Sequence, residues 1–126
     1  NPADDKRATR LKKDVLRGSL DLLVLAVLVD GPAHGYALQK KLAHTTGQTL
    51  PAGTLYPLLH RLEAEHLVSA TWDHATKRPR KRYELTPAGQ KRLQRDGADW
   101  QAFVARIHGL LLPALRQLQH HPPPPE

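Results

Sequence analysis

The sequence predicts a mainly α fold of the α+β class, with three short helices, a two-stranded hairpin and one long C-terminal helix. Three observations support this prediction. Leu55, Leu58, Leu59 and Leu62 recur at i, i+3, i+4 and i+7, the spacing of one buried helix face. Residues 67–72 and 81–85 are β-compatible and flank a turn-rich segment. The residues after Thr86-Pro87 keep a heptad spacing for about thirty positions. In this order, the elements predict a winged helix-turn-helix domain followed by a long helix.

Composition narrows the class of protein. The 126 residues have room for one domain, which we place at 11–86, between a flexible N-terminal arm at 1–10 and a C-terminal helix at 87–119. Residues 120–126 are expected to form a disordered tail. The formal charge of +7 favours a polyanionic partner, and the absence of cysteine excludes disulfides, thiolate zinc sites and a thiol nucleophile. The longest apolar run, 22–29, is too short to span a membrane, so we expect a soluble, cytoplasmic protein.

The first helix is expected to start at Leu11, with Val15 and Leu16 in its pattern, and its second half is apolar on nearly all sides. Gly31-Pro32 should end it. The second helix is predicted over 35–45, and Gly47 should end it.

The third helix has two possible starts because Pro57 is tolerated only where its missing N–H is not required. One start is near Thr54 with its hydroxyl as cap, and the other is near Pro51. We favour the earlier start, since Pro51 suits a first helical position and Ala52 continues a helix well. Either way, the face opposite the leucines carries small and polar residues that can approach another surface: Gly53, Thr54, Tyr56, Pro57, His60 and Arg61.

The hairpin is predicted to project cations. Val68, Ala70 and Trp72 alternate onto one face of its first strand, and Tyr83 and Leu85 share a face of the second. Its tip and returning strand carry Lys77, Arg78, Arg80, Lys81 and Arg82. Directly after a helix-turn-helix pair, such a basic hairpin indicates a wing that contacts whatever the third helix contacts, whereas a solvated charged loop is the alternative.

The long helix is predicted to mediate dimerisation. Thr86 should cap it and Pro87 should occupy its first position. Its apolar seam exceeds what a small domain needs for covering itself, so a second copy of the chain is the expected partner; Pro113 should bend the helix. The seam consists of Leu93, Gly97, Trp100, Val104, Ile107, Leu111, Ala114 and Leu118. Trp100 either fills the dimer core or forms, with its symmetry mate, a slot for a planar ligand.

No enzymatic or metal site is predicted. None of the eight histidines has the helical pairing of a His-Glu-x-x-His site, and no serine lies in a Gly-x-Ser-x-Gly turn. No glycine-rich phosphate loop follows a strand. We therefore expect neither catalysis nor a cofactor.

Taken together, several motifs resemble the PadR family of bacterial winged-helix transcriptional regulators. They are Leu16-Arg17-Gly18, His34-Gly35-Tyr36-Ala37-Leu38, Gly53-Thr54-Leu55-Tyr56-Pro57 through Glu63, Arg78-Pro79-Arg80-Lys81 with Tyr83, and Leu85-Thr86-Pro87 with Gly89. Trp100 falls where family members often carry a tryptophan, and the single C-terminal helix resembles the smaller subtype. The chain departs from the family at His66 and Lys77, where glycine is usual, and at Pro51, where a small polar cap is usual.

The resemblance implies a homodimeric repressor that binds a pseudo-palindromic operator, with possible release by a small hydrophobic or aromatic effector at Trp100. Arg61 would read a guanine and Tyr36 would bond a phosphate, while the wing cations would lie along the backbone or in the minor groove. The expected DNA-contacting residues are Tyr36, Gly53, Thr54, Tyr56, Pro57, His60, Arg61, Lys77, Arg78, Arg80 and Lys81. The alternative function is a winged-helix module that binds an acidic protein partner.

Overall fold

A computed structural model describes residues 1–125, except for the side chains of Thr9 and residues 11–18. Outside the described part of the chain therefore lie the side chains of Leu11, Val15 and Leu16 in the first-helix pattern. The same holds for Arg17 in the Leu16-Arg17-Gly18 motif. The three strands form one antiparallel sheet in the order β1-β3-β2. The predicted α+β fold is confirmed, with these bounds: α1 Pro2–Val27, followed by a 3-10 turn at Leu28–Asp30; β1 Ala33–His34; α2 Gly35–Thr46; α3 Ala52–Ala64; β2 Val68–Asp73; β3 Arg80–Leu85; and α4 Pro87–His120.

The N-terminal residues correct one expectation. Residues 2–10 belong to α1, so the first helix begins at Pro2 and not at Leu11 as expected. The Asn1 side chain accepts a hydrogen bond from the Ala3 amide at 3.1 Å, and Pro2 occupies the first turn. Asp4 and Asp5 lie in that turn, where negative charge complements the helix dipole. At the other end of the chain, α4 reaches His120, and residues 122–125 have no regular structure.

The sheet has a third strand that the sequence analysis missed. Ala33 pairs with Tyr83 and His34 pairs with Arg82, so β1 covers the edge of β3. A strand of two residues is too short to show alternation, which is why no periodic signal marked it. Its pairing attaches the start of α2 to the wing.

The core lies where the three helices of the domain meet the sheet. The four leucines of the α3 stripe are between 0% and 7% exposed, so the predicted buried face is confirmed. Burying one such side chain contributes about 1.5–3 kcal/mol. Val24, Leu25 and Leu28 from the α1 end, Leu38 and Leu42 from α2, and Val68 and Tyr83 from the sheet complete the centre of this cluster.

The two ends of α3 follow from local sequence. Pro51 is extended and caps the helix, which begins at Ala52, so the earlier of the two starts is confirmed. Pro57 lies inside the helix and faces Gly53, the residue whose carbonyl its missing amide would have bonded. His66 has a φ of 60°, the left-handed conformation that usually takes glycine. It lets the Leu67 amide bond the Leu62 carbonyl at 2.9 Å, which closes the helix and starts β2.

The start of α4 is anchored to the end of α3 by one junction. The Thr86 hydroxyl has one hydrogen, which the carbonyls of His66 at 2.7 Å and Leu67 at 3.0 Å share, and its oxygen accepts from the Gly89 amide at 2.9 Å. The Thr86 amide also donates to the Leu67 carbonyl at 3.2 Å. A Cβ on Gly89 would overlap that carbonyl oxygen and lie 2.8 Å from Leu85 Cδ1. The predicted Thr86 cap is confirmed.

Beyond this junction, α4 is a continuous helix that includes Pro113 and that also contacts α1. Leu93 packs against the core, whereas Trp100, Ile107 and Leu111 are 39%, 43% and 47% exposed. The second half of α4 is therefore a long apolar surface without a cover in one copy of the chain. No helix in the described part of the chain is long and apolar enough to cross a bilayer.

Replacing Gly89 with alanine should destabilise the domain because its Cβ would displace either α4 or the Leu67 carbonyl. We expect a loss of about 1–3 kcal/mol, typical of overpacking, measured by urea unfolding followed by circular dichroism. Gly109→Ala is the matched control: it is also inside α4, its Cβ would meet nothing within 4 Å, and alanine there favours the helix. Equal stability of the two variants would contradict the role assigned to the junction.

Candidate nucleic-acid interface

The start of α2, the exposed face of α3 and the wing surround one cleft. Its volume is about 450 Å³. Five of the sequence-predicted DNA-contacting residues line it: Tyr36, Tyr56, His60, Arg80 and Lys81. His34, Gly35, Trp72, Pro79 and Tyr83 complete the lining. The fold therefore brings residues from three separate segments to one surface.

Tyr56 is positioned by the absence of a side chain at Gly35. A Cβ on Gly35 would lie 2.7 Å from Tyr56 Cε1 and 2.8 Å from its hydroxyl oxygen. The ring therefore rests directly on the first residue of α2. Beside it, Tyr36 is 64% exposed, and the Lys40 ammonium lies 5.2 Å from its ring centroid. Two tyrosines thus lie at the point where α2 begins, Tyr36 mostly exposed and Tyr56 37% exposed.

The first turn of α3 is open. Gly53, Thr54 and Pro57 are all exposed, and a Cβ at Gly53 would have nothing within 4 Å. No side chain caps the helix at Pro51. Another molecule can therefore approach the α3 backbone closely on this side.

The wing carries its cations in two different settings. Lys81 Nζ lies 3.3 Å from Glu63 Oε1 on α3 and 5.7 Å from the Trp72 ring centroid, so two contacts hold it. Arg80 Nη2 lies 4.0 Å from Asp73 Oδ2. Lys77 and Arg78 at the tip are exposed and form no ion pair with any residue whose side chain is described. The tip cations are thus available to an anion without breaking an internal pair.

Arg61 lies outside the cleft. Its Nη2 donates to both carboxylate oxygens of Asp21 on α1, at 2.8 and 3.0 Å, and its Nη1 lies 3.6 Å from Glu65. The hydrogen bond to Asp21, followed by the charges of both carboxylates, raises the pKa of Arg61 above its usual value, although slight burial opposes this. Sequence spacing placed Arg61 on the flank of the exposed face but could not reveal this partner 40 positions away. To read a base, the guanidinium would first have to leave Asp21.

The base of the wing is held by a contact that the sequence analysis did not anticipate. His34 Nε2 lies 2.9 Å from Asp73 Oδ2, and the Ala75 amide donates to Asp73 Oδ1 at 2.9 Å. The side chain of Asp73 therefore connects the residue before α2 to the end of β2. No local motif could have shown this pairing, because β1 itself gave no signal.

The Asp73 carboxylate should make stability depend on pH. The Ala75 amide and then the His34 ring hydrogen-bond its ionised form, and the charges of His34 and Arg80 add to this, so its pKa lies below the usual 3.8. Its stabilising contribution is then present above the pKa of the unfolded chain and is lost as pH falls through the lower native pKa.

We expect Asp73→Asn to be less stable than the wild type near pH 5 and to approach it near pH 2, measured by thermal unfolding across this range. Asp30→Asn, which removes an exposed carboxylate 3.3 Å from Lys41, controls for the loss of a surface charge. A difference for Asp73→Asn that stays constant between about pH 2 and pH 5 would contradict the linkage.

Within the described residues, no group of three or more histidine, aspartate or glutamate side chains could hold a metal ion.

Comparison with known proteins identifies the family of the chain. Residues 24–95 match the transcriptional regulator PadR-like family. A transcriptional regulator of Mycobacterium tuberculosis is 36% identical over 97 residues, which is 77% of this chain and 90% of that protein. An uncharacterised 37.1 kDa protein in a transposon of Streptomyces fradiae is 37% identical over 92 residues; the match spans 73% of this chain but only 26% of that longer protein.

The fold is also similar to solved structures. The crystal structure of a PadR family transcriptional regulator from Eggerthella lenta superposes with a TM-score of 0.78 and 38% sequence identity, covering 88% of this chain and 97% of that one. A PadR-like regulator from Bacillus cereus has a TM-score of 0.71 and 27% identity. These are transcriptional regulators and not enzymes, in agreement with the sequence analysis. The chain belongs to the PadR-like family of winged-helix transcriptional regulators.

Proposed function

We propose that this regulator is a sequence-specific repressor that binds a pseudo-palindromic operator as a homodimer. The observation that carries the proposal is the common cleft, which places the exposed face of α3 and the cations of the wing on one side of the domain. A helix for the major groove beside a basic hairpin for the backbone is the arrangement by which winged helices contact duplex DNA. The formal charge of +7 favours the same partner.

In this proposal, α3 enters the major groove with its open first turn leading. Gly53, Thr54 and Pro57 allow close approach, while Tyr56 and His60 reach base edges or flanking phosphates. Tyr36 donates to a phosphate from the start of α2. Arg61 reads a guanine only if it exchanges Asp21 for the base, so its contribution would include the free energy of breaking that pair.

The wing supplies affinity more than sequence preference. Lys77 and Arg78 are exposed at the tip, and Arg80 and Lys81 line the cleft. Cations on phosphates release counterions, so their contribution depends on salt and little on sequence. An acidic protein partner, the alternative, would also satisfy these cations but would leave α3 without a base to read.

Dimerisation through α4 explains its uncovered seam. Trp100, Ile107 and Leu111 are between 39% and 47% exposed and recur at heptad spacing, so they form a continuous apolar stripe and not isolated surface residues. A second copy that packs in heptad register would bury them and would fix the separation of two α3 helices. Trp100, with Gly97 one turn before it, would lie at the centre of the dimer, where a small planar hydrophobic effector could insert and change that separation.

The DNA-binding proposal is tested by selecting duplexes from a random pool with purified protein and then titrating salt. We expect the selected duplex to bind at least about 10³-fold more tightly than a random one, with both affinities falling as salt rises. A ratio near one would favour the protein-interaction module instead.

Arg80→Ala should weaken binding to selected and random duplexes about equally and should reduce the log–log salt slope by about 0.9. Arg61→Ala is the matched comparison, because it removes the same charge from α3; it should relax preference at one base pair. If both variants lost specificity to the same extent, the division between wing and helix would be wrong.

Ile107→Lys should convert the dimer to a monomer because a cation at the seam would face its own symmetry mate. Ala102→Lys is the matched control, since residue 102 lies on the opposite side of the heptad and is exposed. Light scattering coupled to size-exclusion chromatography measures both. A wild-type protein that is monomeric with and without duplex DNA would contradict the dimer.

A further inference from the structure

Trp72 is an exposed tryptophan in the cleft, and the sequence analysis assigns it no binding role. We propose that Trp72 contacts DNA, with its indole packed against a deoxyribose of the backbone while Lys81 and Arg80 hold the adjoining phosphate. This inference rests on the proposed DNA-binding function and adds a contact to it.

The strand register places Trp72 on the inner side of the wing. Val68, Ala70 and Trp72 alternate along one face of β2, opposite Leu85, Tyr83 and Lys81 of β3. Along this face, exposure rises from 1% at Val68, through a partly buried Ala70, to 59% at Trp72. The face that covers the core at one end of the hairpin therefore continues beyond the core. Trp72 is the exposed residue of this face, and it lies in the cleft beside residues of α2 and α3.

The position of Trp72 is fixed by its neighbours. Asp73, the next residue, is held by His34 and the Ala75 amide. Lys81, its partner across the ladder, lies 5.7 Å from the indole centroid while its ammonium contacts Glu63. Because these contacts are in place in the free protein, ordering the indole costs little when a partner arrives.

The chemistry of the cleft matches a sugar–phosphate unit. Its lining includes the aromatic rings of Trp72, Tyr36 and Tyr56, and no lining residue is acidic. Glu63 and Asp73 pair with the lining cations without lining the cleft themselves. Hydrogen-bond donors therefore remain for an anion: a lysine ammonium has three N–H groups and an arginine guanidinium has five. A deoxyribose presents C–H groups to an aromatic face, and its phosphate is an acceptor for charged donors.

The chain has two tryptophans, so Trp100→Phe leaves Trp72 as the single indole reporter. Binding of a labelled duplex is followed by anisotropy, and Trp72 emission is recorded in parallel with acrylamide quenching. We expect the emission to change and quenching to fall, with both saturating at the same DNA concentration as the anisotropy. In the comparison variant Trp72→Phe, Trp100 is the remaining indole, so its emission reports changes that arise elsewhere in the protein.

The affinity test uses Trp72→Ala and, as a matched control, Thr71→Ala on the outer face of the same strand. Trp72→Ala should weaken selected and random duplexes alike by about three- to tenfold, because the contact is to backbone. Trp72→Phe should recover most of this loss, and Thr71→Ala should bind as the wild type does. Circular dichroism melts establish that each variant is folded.

Duplex binding with unchanged Trp72 emission and quenching, or wild-type affinity in a folded Trp72→Ala, would overturn the inference and leave the proposed function intact. If 1-naphthoate altered Trp72 emission while duplex DNA did not, the cleft would be a site for small aromatic ligands and the inference would be wrong. Failure of the wild type to bind any duplex would overturn the proposed function as well.

Discussion

The arrangement of the whole chain depends on the hydrogen bonds that converge on the Leu67 carbonyl. This group accepts from both the amide and the hydroxyl of Thr86, and Gly89 has no side chain to keep α4 away from it. Leu67 directly follows His66, whose left-handed backbone conformation ends α3. The end of α3, the start of β2 and the start of α4 thus meet within a few ångströms. These hydrogen bonds attach the start of α4 to the end of α3.

The cations of the candidate interface differ in what they must give up on binding. Arg61 would have to exchange a bidentate contact to Asp21, and Lys81 a contact to Glu63. Lys77 and Arg78 have no such internal partner among the described side chains. The Arg61–Asp21 pair is solvent-exposed, and exposed pairs contribute only about 0–1 kcal/mol to stability, so this pair is easily exchanged. The Lys81–Glu63 pair is partly buried. Because Lys77 and Arg78 have no pair to break, the tip of the wing is the natural first point of contact with a polyanion.

The sequence predicted most of the fold because its strongest signals were local. The α3 leucine stripe, the Thr86 cap, the Gly47 stop and the hairpin strands all depend on residues a few positions apart. What it missed depends on distant partners. Strand β1 exists because β3 is beside it. The start of α1 at Pro2 is the exception, since the Asn1 cap on which it depends is local.

In the candidate site, too, the sequence predicted the residues but not their contacts with distant parts of the chain. Residue types and spacing brought Tyr56, His60, Arg80 and Lys81 into the set, and the family resemblance added Tyr36. The structure gathers all five around one cleft. Neither the pairing of Arg61 with Asp21 nor that of His34 with Asp73 could be deduced, since each joins residues about 40 positions apart. Trp72 was assigned to the correct strand face, but only the packing of the hairpin shows that this face emerges from the core.

The contact between Gly35 and Tyr56 has a consequence for how this surface can diverge among relatives. The tyrosine ring occupies the space in which a side chain at position 35 would lie, so the two positions cannot vary independently. A larger residue at position 35 would require a smaller one at position 56, or a different rotamer that points the ring elsewhere. The size of the side chain at position 56 is therefore constrained by a residue on another helix.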